Sequence, residues 1–236
     1  VALVERGISS ETEVGVVQRL LLQAQTAIGS YADPAWAEAE GAASFANRLL
    51  ELAREAEAGS DHQLAFVNAL TGAALSPWHT EVLRELLDAD PSTVGLDGLI
   101  VDTDLRWRIV GALAAGRPQA AVKEEVWAKV VGDDSVPNIT ARSIIGGFAR
   151  EGQDELLEPF VSRYFADIAA VWERRSSEVA QTVVIGLYPS WSISDESVAA
   201  ADRFLEGDIP PALRRLVVEG QAGVVRSLAA RKFDAS

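Results

Sequence analysis

The chain contains no cysteine and no methionine, only two histidines, and lysine at just three positions, 123, 129 and 232. Without Cys there is no disulfide framework, no thiolate zinc site and no thiol nucleophile, a usage that fits a reducing cytoplasm. Without Met, an initiator included, we expect a piece of a longer protein. No apolar run approaches the roughly 20 residues that span a bilayer. The opening residues, VALVERGISSETE, also lack the basic start and apolar core of a signal peptide, so no membrane partner is expected.

Several catalytic patterns are missing as well. Zinc peptidase chemistry needs two His one helical turn apart beside a carboxylate base, as in HExxH. His62 and His79 are seventeen residues apart and outside any such motif, and we expect both near helix starts and partly solvated. There is no G-x-S-x-G nucleophile turn, and Gly146-Gly147 lies in no phosphate-loop pattern. That pair reads as a close helix contact or a local kink. Asp102-Thr103-Asp104 and Asp133-Asp134 read as cap and loop residues rather than cation ligands. No catalytic, metal-binding or cofactor-binding residue is therefore assigned to this chain.

The formal net charge is −14, with an isoelectric point near 4.6. That balance repels phosphate backbones and excludes nucleic acid as a partner class.

What is present is apolar helical periodicity. The 236 residues are 48% hydrophobic, enough for a sizeable core without metals or disulfides. From Asp154 to Arg175, Leu156, Leu157, Phe160, Val161, Tyr164, Phe165, Ile168, Val171 and Trp172 recur at helical spacing. The stripe is wide enough to bury on two sides. The pattern predicts helices at about Glu13–Tyr31, Asp33–Ala58, Ser60–Leu75 and Ser76–Leu87, then Thr103–Ala115, Gln119–Val131, Asn138–Arg150 and Glu155–Arg174. Ser177–Leu187, Asp195–Leu205 and Pro211–Arg231 complete the series. Asp33-Pro34 and Ser76-Pro77 pair a capping residue with a proline suited to the first helical position. Val1–Ser10 reads as the tail of an interrupted element, and Asp88–Asp102 as a turn holding one short helical piece. The β-branched run Gln181–Tyr188 is assigned to a buried helix, and Pro159, one turn into its helix, is expected to bend it. Helix pairs at about 30 to 45 residues predict an all-α, HEAT-like α-solenoid of antiparallel pairs. We expect one helical-repeat domain over 1–236.

The six tryptophans, 36, 78, 107, 127, 172 and 191, read as core and rim residues, since a stacking platform for single strands needs basic neighbours. In Asp104–Val110 the periodicity turns Leu105, Arg108 and Ile109 one way and Trp107 and Val110 another. Arg106, Trp107 and Arg108 are the candidate chamber or interface residues. They line a polar cavity that receives a carboxylate, or they knit two repeats together through an Arg–carboxylate pair.

The ordered segments Asp102–Ala115, Lys123–Asn138, Gly147-Phe148, Glu155–Pro189 and Pro211–Arg231 resemble the C-terminal domain of aminopeptidase N-type zinc metallopeptidases, of the endoplasmic-reticulum-aminopeptidase type. Actinobacterial forms come closest. The resemblance implies a HEAT-like helical superhelix that caps a thermolysin-like catalytic domain and encloses a peptide chamber. The family's HExxH and GxMEN motifs are absent here. It therefore implies a non-catalytic domain, with zinc held in the catalytic domain of the same polypeptide and peptide as the substrate. It also implies that the start of the domain precedes Val1. A free-standing helical-repeat interaction scaffold is the alternative.

Overall fold

A computed structural model describes residues 1–73, 75–150 and 152–234. Among them there are helices and connecting turns and no strand, so the fold is all-α. The helices are α1 (Ala2–Gly7), α2 (Val14–Thr26), α3 (Pro34–Trp36), α4 (Ala42–Glu55), α5 (Asp61–Gly72), α6 (Pro77–Asp88) and α7 (Thr103–Ala115). They continue with α8 (Ala120–Trp127), α9 (Asn138–Phe148), α10 (Asp154–Leu157), α11 (Pro159–Arg174), α12 (Ser177–Gly186), α13 (Asp195–Leu205) and α14 (Pro211–Asp234). Short 3-10 turns cover Ile8–Ser10 and Pro91–Val94.

The predicted starts rest on visible chemistry. The side chains of Asp33, Ser60, Ser76 and Ser194 each accept the backbone N–H three residues on, and Pro34 and Pro77 open their helices. At α7 the capping oxygen belongs to Asp102, which accepts the Leu105 N–H at 2.8 Å, rather than to Thr103 or Asp104. The β-branched run is helical through Gly186, the end of α12, with Val183 and Val184 buried and Ile185 exposed.

Several predicted helices differ in their interiors. Wide π-helical turns occupy Ala27–Tyr31, Ala37–Gly41 and Ala128–Gly132, so the expected spans 13–31, 33–58 and 119–131 are not uninterrupted α-helix. Pro159 lacks the N–H for the helical ladder, and the predicted 155–174 helix divides there into α10 and α11. Glu158 between them stays in the right-handed helical region. The expected 60–75 helix ends at Gly72; Ala74, within that span, lies outside the described residues.

The chain separates into two compact units. The first holds Val1–Leu113 with Arg150 and Gly152, and the second holds Ala114–Ala149 and the residues from Gln153 onward. In the first, α5 packs on both α2 and α4. Its core joins Val17 and Leu21 of α2, Leu49 and Leu50 of α4, Phe66 and Leu70 of α5, Leu83 and Leu86 of α6, and Leu105 and Ile109 of α7. Two loops cross at glycines. Gly59 and Gly98 both have positive φ, and a Cβ on Gly59 would stand 2.9 Å from the Gly98 carbonyl oxygen. Buried Gln63 ties this crossing together. Its Oε1 accepts the Gly59 N–H at 2.9 Å, and its Nε2 donates to the carbonyls of Ala53 and Asp97, each at 3.3 Å.

In the second unit α12 packs on α9, α11 and α14. The α11 stripe is buried as its spacing predicts, with Phe160, Val161, Tyr164, Ile168 and Val171 all inside. Aromatic rings surround it. Phe148 meets Phe160 edge-on at 5.1 Å and Tyr164 meets Tyr188 at 5.5 Å. Tyr164 is also buried at its hydroxyl, which donates to the Val184 carbonyl at 2.9 Å and so satisfies an end-of-helix carbonyl of α12. Burial pushes the Tyr164 phenol up and keeps it the neutral donor this bond requires.

Candidate functional site

Arg106, Trp107 and Arg108 follow the first turn of α7 and form one exposed run between buried Leu105 and Ile109. Arg108 does not share the buried face with Leu105 and Ile109. Its Nε pairs with Asp104 Oδ2 at 2.7 Å, one turn back on the same helix, and its side chain is about half exposed. Arg106 donates Nη2 to the Leu87 carbonyl at 3.3 Å, which covers the C-terminal end of α6. Trp107 is 37% exposed and partly covered by its surroundings. Each arginine is thus occupied within its own unit, one by its own helix and one by the neighbouring helix end.

The histidines divide. His62 lies at the start of α5, half-buried, with Nε2 3.1 Å from the Glu11 carbonyl. His79 is 1% exposed, which corrects the expectation of a partly solvated ring. It is held inside because it completes a capping box with Ser76. Among the described residues no three of His, Cys, Asp and Glu come together as metal donors.

Gly146 is exposed, with open space where a Cβ would stand. Gly147 is buried, and a close contact between α9 and α12 runs through Gly186, against Ile145. Beside that contact a groove of about 650 Å³ is lined by Arg142, Ile145, Gly146, Glu178, Gln181 and Ile185. Ile185 is 59% exposed. Asn138 Nδ2 donates to Glu178 Oε1 at 2.5 Å. A guanidinium, a carboxylate and an amide share this open lining with apolar side chains. The hydroxyls of Ser177 and Thr182 complete the polar part of the lining.

Two cation sites carried no sequence signal. Lys123 is fully buried, and its Nζ donates at 2.5 Å to the carbonyl of Phe148, the last residue of α9. Arg175, just past α11, has a nearly buried side chain. Its Nη2 donates to the carbonyls of Val130 (2.9 Å), Val131 (3.4 Å) and Asp133 (2.8 Å), and its Nε pairs with Asp134 Oδ1 at 2.6 Å. Arg174 adds a donation to the Val131 carbonyl at 3.1 Å. Both cations therefore serve helix-end carbonyls that the backbone leaves unsatisfied. Asp133 is a loop residue, as expected. Bonds from Lys129 and Ser135 hold its carboxyl well below the usual carboxylate range.

Two comparisons bear on this architecture. Residues 111–226 match the family described as the ERAP1-like C-terminal domain. The chain is also 38% identical to aminopeptidase N of Streptomyces lividans, an alignment that covers all of this chain and 31% of that relative. The chain thus spans about a third of the length of the curated relative it matches. Both matches fall on the family that the ordered segments resemble.

Proposed function

We propose, from the ERAP1-like C-terminal domain carried by residues 111–226, that this chain is the C-terminal, non-catalytic domain of a zinc aminopeptidase. The observation that carries the reading is the full-length likeness to one third of an aminopeptidase N. It is joined to an all-α fold whose described residues offer no metal-donor set. In this reading the zinc and the reacting groups belong to the catalytic domain of the same polypeptide, in the cytoplasm. The helical domain contributes shape. As one HEAT-like superhelix it closes over the active site, limits water and sets which peptide lengths enter. Arg106, Trp107 and Arg108 are its chamber or interface residues.

Added to a separately produced catalytic part, the chain should change peptide-length preference more than hydrolysis of a small aminoacyl-nitroanilide. On its own it should hydrolyse neither. Chelator-sensitive turnover by the isolated chain would overturn the proposal, and no effect on either substrate would favour a free-standing scaffold.

A further inference from the structure

His79 occupies the third position of α6, and its ring is held by the residue that caps the helix. Its Nδ1 accepts the Ser76 N–H at 3.2 Å and lies 2.9 Å from Ser76 Oγ, and that Oγ in turn accepts the His79 N–H at 3.4 Å. A ring nitrogen that accepts carries no proton, so the imidazole is neutral with its hydrogen on Nε2. Among the described residues, that buried Nε2 has no hydrogen-bond partner. A second proton must go to Nδ1, where it removes the acceptor of the Ser76 N–H and can donate only to Ser76 Oγ, an oxygen that already accepts the His79 N–H.

The charges around the ring add to this cost. Arg54 of α4 stacks its guanidinium 5.1 Å from the Trp78 ring centroid, and Trp78 lies 5.3 Å from the imidazole. Arg54 also donates Nε and Nη2 to the Val94 carbonyl at 3.0 and 2.8 Å. The Pro91–Val94 turn packed on α6 brings no titratable side chain. Asp90, which caps that turn, is engaged with the Ser92 N–H. On α6 itself Glu81 and Arg84 pair with each other, and Arg106 of α7 reaches only the Leu87 carbonyl near the far end. The charge that bears on the imidazole here is that of Arg54, a cation.

We propose that Ser76 and His79 form an acid-released latch on the first turn of α6: protonating the imidazole opens that turn and frees Trp78 from Arg54. Burial and the Arg54 charge push the imidazole below its ordinary 6.5. The latch is therefore closed at neutral pH and opens only on acidification past that value. Because Arg54 bridges Trp78 to the Val94 carbonyl, release loosens the tie between α4, α6 and the 91–94 turn.

The test combines nitrogen NMR of the two imidazoles with amide hydrogen exchange on the full chain between pH 7.5 and 5, corrected for intrinsic rates. The expected results are the Nε2–H tautomer at pH 7.5 and a loss of protection at the His79 and Thr80 amides, tenfold or more, that tracks the ring titration. His79→Gln keeps a capping-box acceptor that does not titrate, and it should hold its protection across the range. An Nδ1–H tautomer at pH 7.5 would sink the idea, and so would a ring that titrates while both amides stay protected. A drop of the same size in His79→Gln would do the same. Should that variant not fold, the tautomer and the coupling in the parent chain decide the question.

Discussion

Replacing Arg175 tests how the second unit fastens its longest-range polar contact. The guanidinium spans about 40 residues of sequence to reach three carbonyls at the end of the 128–132 turn, plus one carboxylate. Asp134 is about half exposed, so its ion pair contributes about 0.5 kcal/mol or less. The carbonyl bonds dominate, because a charged donor to a buried acceptor is worth about 1.5–3 kcal/mol each before water replaces it. Two of the three are short, and relief of the buried charge offsets part of the loss. Arg175→Met should therefore destabilise the unit by about 2–3 kcal/mol. Arg175→Lys keeps the charge without the fork and should lose about half as much. Asp134→Asn should cost no more than about 0.5 kcal/mol. Urea unfolding at fixed ionic strength, followed by tryptophan fluorescence, measures all three. A Met variant within about 0.5 kcal/mol of the parent would refute the carbonyl argument. An Asp134→Asn variant as damaged as Arg175→Met would show that the ion pair is the main element instead.

Other outcomes follow from single contacts. Tyr164→Phe removes the hydroxyl bond to the Val184 carbonyl and should cost about 1–2 kcal/mol in the same unfolding assay. Two glycines should respond with opposite signs. A Cβ at Gly220 would stand 2.5 Å from the Tyr188 ring, so Gly220→Ala should destabilise by about 1–3 kcal/mol through overpacking. Gly146→Ala meets nothing within 4 Å on an exposed helix surface and should stabilise by about 0.5–1 kcal/mol. Burial and the Asp202 charge push the Tyr188 phenol up to about 12. Its folded form is therefore neutral, and its contribution to stability is complete below pH 10 and lost as pH climbs from 10 toward 12. Asp202→Asn should lower that titration in an ultraviolet difference spectrum.

What could be read from the sequence was local chemistry. Ser76-Pro77 marks a helix start because the cap and the first-position proline act within three residues, and α6 begins there. The 154–175 stripe could be read because burial repeats at the helical period, and that period survives the break at Pro159. The π-helical turns left no such mark. Widening a turn by one residue rotates the apolar face by about 100°, and spans as rich in Ala as 24–46 read as helix in either register.

The sites were hidden for a related reason. His79 reads as a surface first-turn residue until Ser76 is seen to draw its ring inward, where Trp78 and the Arg54 guanidinium beyond it stand alongside. Arg108 sits at the edge of the α7 stripe, where periodicity alone does not choose between the core and Asp104; the carboxylate one turn back decides it. Lys123 and Arg175 stand beside other charged letters, Glu124 and Arg174, and read as surface residues. What makes their burial tolerable is a set of helix-end carbonyls 25 to 45 residues away, at Phe148, Val130 and Val131. Each of these two cations therefore marks where another helix stops. Substitution at Phe148, which leaves the backbone carbonyl in place, should keep Lys123 bound, whereas moving the end of α9 by inserting one residue before Phe148 should displace it.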